Sequence, residues 1–272
     1  MEVAPNLPTD LVGQIDRLTV NRRGQSPDSF MITESIVSHV APDTGYRLEH
    51  AGFTPLEAGG EAVECAYDFP PVSDNLETPP HTRLSGTWDG GVGVETANAN
   101  ILGNIGTLTL DRAELHIPEA PTTPETLGYY GACLLSVGDE FRFHTNANLP
   151  VTMMNIGHSY ARDYLHVEDL GGGSFLEYHD RPHLHLPLDA AAAGFIVLGR
   201  RAGDDYLVSA FRIPFGKAIY TPPQVLHADP YLIGRYLVIY SVTENFSNVV
   251  FRAPDGGMVD VRVGKPHERK KT

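Results

Sequence analysis

From about residue 128 to residue 263 the chain is a succession of short β-branched and aromatic runs separated by turn residues, with no helical pattern between them. The runs fall at 129–135, 140–144, 151–155, 195–198, 206–212, 236–243, 249–252 and 258–263. Asp204-Asp205 and Asp255-Gly256-Gly257 suit tight hairpins. Many short strands at close spacing predict an antiparallel sandwich or barrel, and a small jelly roll is the natural architecture. The mouth of such a barrel is a common ligand site.

The N-terminal half reads differently. Thr9 or Asp10 can cap a helix carrying Leu11, Val12, Ile15 and Leu18, and Ser26-Pro27 can open a second one through Phe30, Ile36 and Val40. Between about 60 and 125, Pro70-Pro71, Pro79-Pro80 and Asp89-Gly90-Gly91 mark turns around short apolar runs such as 106–110, which predicts irregular β structure. The stretch 119–124 reads as a linker. The expected organisation is an N-terminal region over 1–125, packed on or capping a barrel over 126–264, and a basic solvated tail over 265–272.

With 272 residues, 42% of them hydrophobic, the chain can bury a substantial core. Its net charge of −14 argues against a nucleic-acid backbone or an anionic membrane surface as partner. No basic segment followed by an apolar run opens the sequence, and no run approaches the roughly 20 apolar residues of a membrane-spanning helix. Cys65 and Cys133 read as reduced thiols. The expected location is cytoplasmic.

The chemistry concentrates in Tyr178-His179-Asp180-Arg181-Pro182-His183-Leu184-His185, followed later by His227. Neutral imidazole is the commonest protein metal ligand. Side chains alternate along a strand, so His183 and His185 share a face. A third imidazole from a neighbouring strand would complete a site with open positions, suited to Fe, Mn, Ni, Co or Zn. The competing reading of the His-x-His pair is a hydrogen-bonded pocket lining without metal. His81 reads as a loop residue, and His144, His158 and His166 as surface or hydrogen-bonded residues.

The spacing resembles the cupin superfamily. Its first motif, G-x5-H-x-H-x(3,4)-E-x6-G, is matched at His183 and His185, with Asp189 in place of Glu. Its second, G-x5-P-x-G-x2-H-x3-N, is matched at Gly216, Pro222 and His227. Glu177 stands for the leading Gly, Gly194 falls two places early, Gln224 replaces the second Gly and Tyr231 the final Asn. The likeness covers about residues 135–255. It implies an all-β, cupin-type antiparallel double-stranded jelly roll with extra N-terminal β structure and one or two short helices. It also implies one divalent transition metal held by His183, His185, Asp189 and His227, and a homodimer.

Around that set, Glu177, His179 and Tyr220 are candidates for the proton-transfer step, and His179 also stands as a substitute metal ligand in place of Asp189. Arg181, Asp229 and Arg235 are candidates for holding a small-molecule substrate, since arginine clamps carboxylates. Three functions stay open at this point. One is a metal-dependent lyase or isomerase on a small oxygen-rich substrate such as a hydroxy acid, sugar or ureido acid, toward which a weaker resemblance to ureidoglycolate lyase-type cupins also points. The others are a mononuclear non-haem Fe(II) dioxygenase independent of 2-oxoglutarate, and a non-catalytic small-molecule-binding cupin.

Overall fold

A computed structural model of the chain describes residues 1–57, 63–64, 78–90, 105–240, 242–243 and 245–264. The protein is mostly β, with 51% of residues in strands and 8% in helices, arranged in a jelly-roll-like fold. One fourteen-stranded sheet dominates, accompanied by a four-stranded and a two-stranded sheet. Most neighbours are antiparallel. The large sheet is nonetheless mixed, because Phe246–Arg252 runs parallel to Gly106–Leu110.

The organising element is the strand Leu226–Ile239, fourteen residues long. Its first half pairs with Ala193–Ala202, and its second half with Leu149–Ile156 and His183–Pro187. The change of partners falls near Gly234, whose φ of 98° lies in the left-handed region that glycine tolerates. One strand thereby joins two walls of the fold. Between those walls lies a core that includes Met31, Ile36, Met154, Leu198, Phe211, Ile219, Leu232 and Tyr236. A second core, around Leu108, Val208 and Phe251, and a third, around Phe141, Leu184, Tyr220 and Leu237, pack elsewhere on the strands.

The turn-bounded runs of the C-terminal half become strands, and Gly203-Asp204 connects the hairpin of Ala193–Ala202 and Asp205–Phe211. In the stretch 129–135 the strand itself is shorter, Cys133–Ser136, because Pro124–Tyr129 is a helix. Thr123 caps that helix through the Thr126 N–H. The segment expected to be a linker therefore ends in a capped helix.

The N-terminal helices are corrected. The first is one turn, Thr9–Val12, followed by a 3-10 turn at Ile15–Arg17. The second is the strand Phe30–Val40. Its β-branched residues Ile32, Thr33, Ile36 and Val37 suit a pleated surface better than a helix. It pairs along its length with Leu149–Ile156, and its start carries the short strand Asn21–Arg23. Residues from the N-terminal region thus belong to the same sheet as the C-terminal strands. Pro70-Pro71, Cys65 and the tail 265–272 lie outside the described residues. Among those described, no helix is long and apolar enough to cross a membrane.

Candidate metal centre

Three strands and one turn assemble the site. In the strand Phe175–His179, Glu177 and His179 share a face, two residues apart. Glu177 stands directly across from His227 on one side and from Asn248 on the other, so Asn248, Glu177 and His227 form a row across three strands. His183 opens the next strand, His183–Pro187. The turn between Lys217–Thr221 and Leu226–Ile239 completes the arrangement: the Gln224 N–H donates to the His179 carbonyl at 2.7 Å. Gln224 has a φ of 69°. The left-handed turn that glycine tolerates best is formed here by a glutamine.

His179, His183 and His227 converge. One ring nitrogen from each lies within 4.8 Å of the other two, and all three residues are buried. His179 Nδ1 is 2.6 Å from the Arg181 carbonyl and His227 Nδ1 is 2.9 Å from the Val225 carbonyl. A carbonyl oxygen only accepts, so each Nδ1 carries the proton and donates it. Each Nε2 is consequently left with a bare lone pair. Among the described residues, His179 Nε2 is buried without a hydrogen-bond partner. His227 Nε2 lies 3.1 Å from His183 Nδ1. That distance is a hydrogen bond, in which a neutral His183 can donate Nδ1–H to His227 Nε2.

Burial keeps these imidazoles neutral. It pushes His179 down to about 3 and His227 to about 4, and holds His183 well below the ordinary range. Neutral imidazole is the metal-binding form. A backbone carbonyl behind His179 and another behind His227 fix the tautomer and orientation of those two rings, as metal-ligating histidines commonly require. The donor set therefore fits a divalent transition metal.

Glu177 adjoins the group, its Oε1 3.6 Å from His227 Nε2. Burial, and then the charge of Asp229, raise its carboxyl well above the usual range. Asp229 also faces this interior. Burial raises its carboxyl, but its hydrogen bond with His185 and the neighbouring charges outweigh that, and the net shift is downward. A small cavity of about 50 Å³ opens beside His183 and Glu177, lined further by Arg22, Asp229, Tyr240 and Asn248. That volume holds a few waters or one small polar group.

The other expected residues sit elsewhere. His185 is buried beside His183, but its Nε2 is engaged by Asp229 Oδ2 at 3.2 Å, and it is not one of the three converging imidazoles. Asp189 caps a turn, its Oδ1 accepting the Ala191 N–H at 2.9 Å. Tyr220 pairs across from Leu184, on the opposite face from His183, and packs in the third core. Its hydroxyl accepts the His144 N–H at 3.0 Å. Arg181 donates to Asn146, although its carbonyl orients His179. Arg235 is half-exposed and pairs with Glu34 at 2.9 Å. His166 is hydrogen-bonded to Ser174, as its reading as a non-ligand anticipates.

Arg22 and Asn248 were not anticipated. The helix expected to begin at Ser26 hid the strand pairing that turns Arg22 inward. Asn248 carried a signal: it is the polar break in Phe246-Ser-Asn-Val-Val-Phe251, at a position where the alternation favours a buried side chain. Comparison of the sequence with protein-family models and with curated proteins gives no match.

Proposed function

We propose that the chain is a metal-dependent enzyme of cupin type, performing lyase or isomerase chemistry on a small oxygen-rich substrate. The observation that carries this reading is the orientation of the imidazoles. His179 and His227 both spend Nδ1–H on a backbone carbonyl, which leaves each Nε2 unprotonated; His227 Nε2 has His183 Nδ1 at 3.1 Å, whereas His179 Nε2 is buried without a partner among the described residues. A lone pair stranded there costs about 1–3 kcal/mol unless something satisfies it.

His179, His183 and His227 are the residues that would hold the ion. When bound, a divalent metal supplies Lewis acidity toward a carbonyl or hydroxyl oxygen. Glu177, beside His227, gives or takes the substrate proton at Oε1. Asp229 fixes the His185 ring, so that this neighbour does not swing into the group. Val20, Met31, Met154 and Phe175 supply the apolar part of the lining and exclude water.

Metal analysis of protein purified without added metal, combined with oxygen-uptake measurement over a panel of hydroxy acids, sugars and ureido acids, tests the reading. Stoichiometric zinc, nickel, cobalt or manganese with substrate turnover and no oxygen uptake supports it. Stoichiometric iron with substrate-dependent oxygen uptake overturns it in favour of a dioxygenase. Absence of both metal and turnover favours a binding module.

A further inference from the structure

Arg22 reaches the cavity from the N-terminal strand Asn21–Arg23. Its contacts are unusual for a half-buried guanidinium. Nη1 alone makes both of them, one to the Tyr160 hydroxyl at 3.3 Å and one to Met31 Sδ at 3.9 Å. Among the described residues no carboxylate lies within ion-pair distance of it. Asp229 shares the cavity but is committed to His185. A guanidinium has five N–H donors arranged as a fork that matches a carboxylate. Among the described residues most of that capacity is unused.

Asn248 supplies a second unfilled position in the same cavity. It is 2% exposed, and its Oδ1 is buried without a hydrogen-bond partner among the described residues. Most buried polar side-chain atoms in folded proteins have a partner. The space of about 50 Å³ therefore presents a cation on one side and an unpaired acceptor on the Glu177–His227 row.

We propose that Arg22 and Asn248 form the recognition subsite for a small 2-hydroxy carboxylate, with the carboxylate on Arg22 and a hydroxyl donating to Asn248 Oδ1. This names the substrate class of the proposed metal site and rests on that reading for the metal, but not for the anion. The cavity accommodates the acid end of the molecule and little more. The N-terminal region, through Arg22, then contributes specificity, while the C-terminal strands contribute the imidazoles.

Calorimetric titration of cobalt-loaded protein with glycolate and with its neutral analogue glycolamide tests the subsite. Wild type is expected to prefer glycolate by about ten-fold or more. Arg22→Gln is expected to lose that preference while its cobalt absorption spectrum without ligand stays as in wild type. Asn248→Ala is expected to weaken both ligands. Glycolate affinity within two-fold of wild type in Arg22→Gln would overturn the proposal. So would equal affinity of wild type for the two ligands, a result that needs no variant to fold. Should wild type bind no cobalt, the metal reading fails separately. The same titrations on metal-free protein then decide the subsite, an Arg22-dependent glycolate preference supporting it and its absence overturning it.

Discussion

Two histidine sites lie within the fold, a half-buried network around His166 and a buried cluster of three imidazoles, and they are built on opposite principles. In one, His166 Nε2 lies 2.8 Å from Ser174 Oγ, and Ser174 in turn bonds the Tyr231 hydroxyl. Hydroxyls can donate and accept, so each polar group closes on the next. In the other, His179, His183 and His227 bring together imidazoles whose protons point mostly outward to backbone carbonyls. Burial depresses the imidazole in both settings. What differs is satisfaction: in the first, His166 Nε2, Ser174 and Tyr231 close on one another, while the second leaves His179 Nε2 buried without a partner among the described residues. A cluster that completes itself contributes to structure, whereas one left open calls for a ligand.

The largest expected consequence concerns metal. At a thousand-fold excess over its dissociation constant, zinc or cobalt would stabilise wild type by about 4 kcal/mol. Thermal melts with and without metal should show this shift in wild type and in His166→Gln, and no shift in His183→Ala. A shift retained in His183→Ala would erase the distinction between the clusters.

Acid should weigh more heavily on the open cluster, which has three depressed imidazoles against one. In metal-free protein the three converging imidazoles stay neutral when folded, while the unfolded chain protonates them below the ordinary value of 6.5. The unfolded state therefore binds more protons, and stability present above pH 6.5 is lost as pH falls toward about 4. Each imidazole contributes about 1.4 kcal/mol per pH unit to that slope. Glu177 acts in the opposite direction, because its raised carboxyl keeps a proton that the unfolded chain releases above 4.5. Denaturant unfolding between pH 4.5 and 6.5 should show a net loss on acidification. His183→Gln should reduce the slope by about one imidazole's worth.

Removing one member of the closed cluster should cost about 1–3 kcal/mol, because Ser174 and Tyr231 lose a partner. His166→Ala is expected to lower the urea midpoint while leaving metal affinity unchanged. The smallest effect is expected at the turn behind the open cluster. Gln224→Gly relieves a left-handed φ but adds freedom to the unfolded chain, so the net change should stay within about 1 kcal/mol. A larger loss would mean that the Gln224 side chain holds the turn.

The β class of the fold was legible because turn residues punctuate runs of Val, Ile, Tyr and Phe throughout the C-terminal half. The location of the site was legible for a similar reason, since His179, His183 and His227 stand out by density and spacing. Their division of labour was not. His183 and His185 do alternate onto one face, but Asp229 captures His185, and that contact spans 44 positions in the chain. His179 joins the group because a bend at Arg181 turns its carbonyl back onto the ring. Asp189 stands as a ligand only in the resemblance to cupins, with a turn cap as the competing reading of the residue, and its side chain closes a local turn. Phe30–Val40 was read as a helix because its apolar residues fit both periods, and only pairing with Leu149–Ile156 decides between them.

The central claim is that the site uses His179, and not His185, with His183 and His227. Cobalt titration followed by visible absorption tests it directly in wild type, His179→Gln and His185→Gln. Wild type and His185→Gln should develop the same absorption bands with affinities within a few-fold, and His179→Gln should lose at least ten-fold in affinity. Full cobalt binding by His179→Gln, with loss in His185→Gln, would contradict the account.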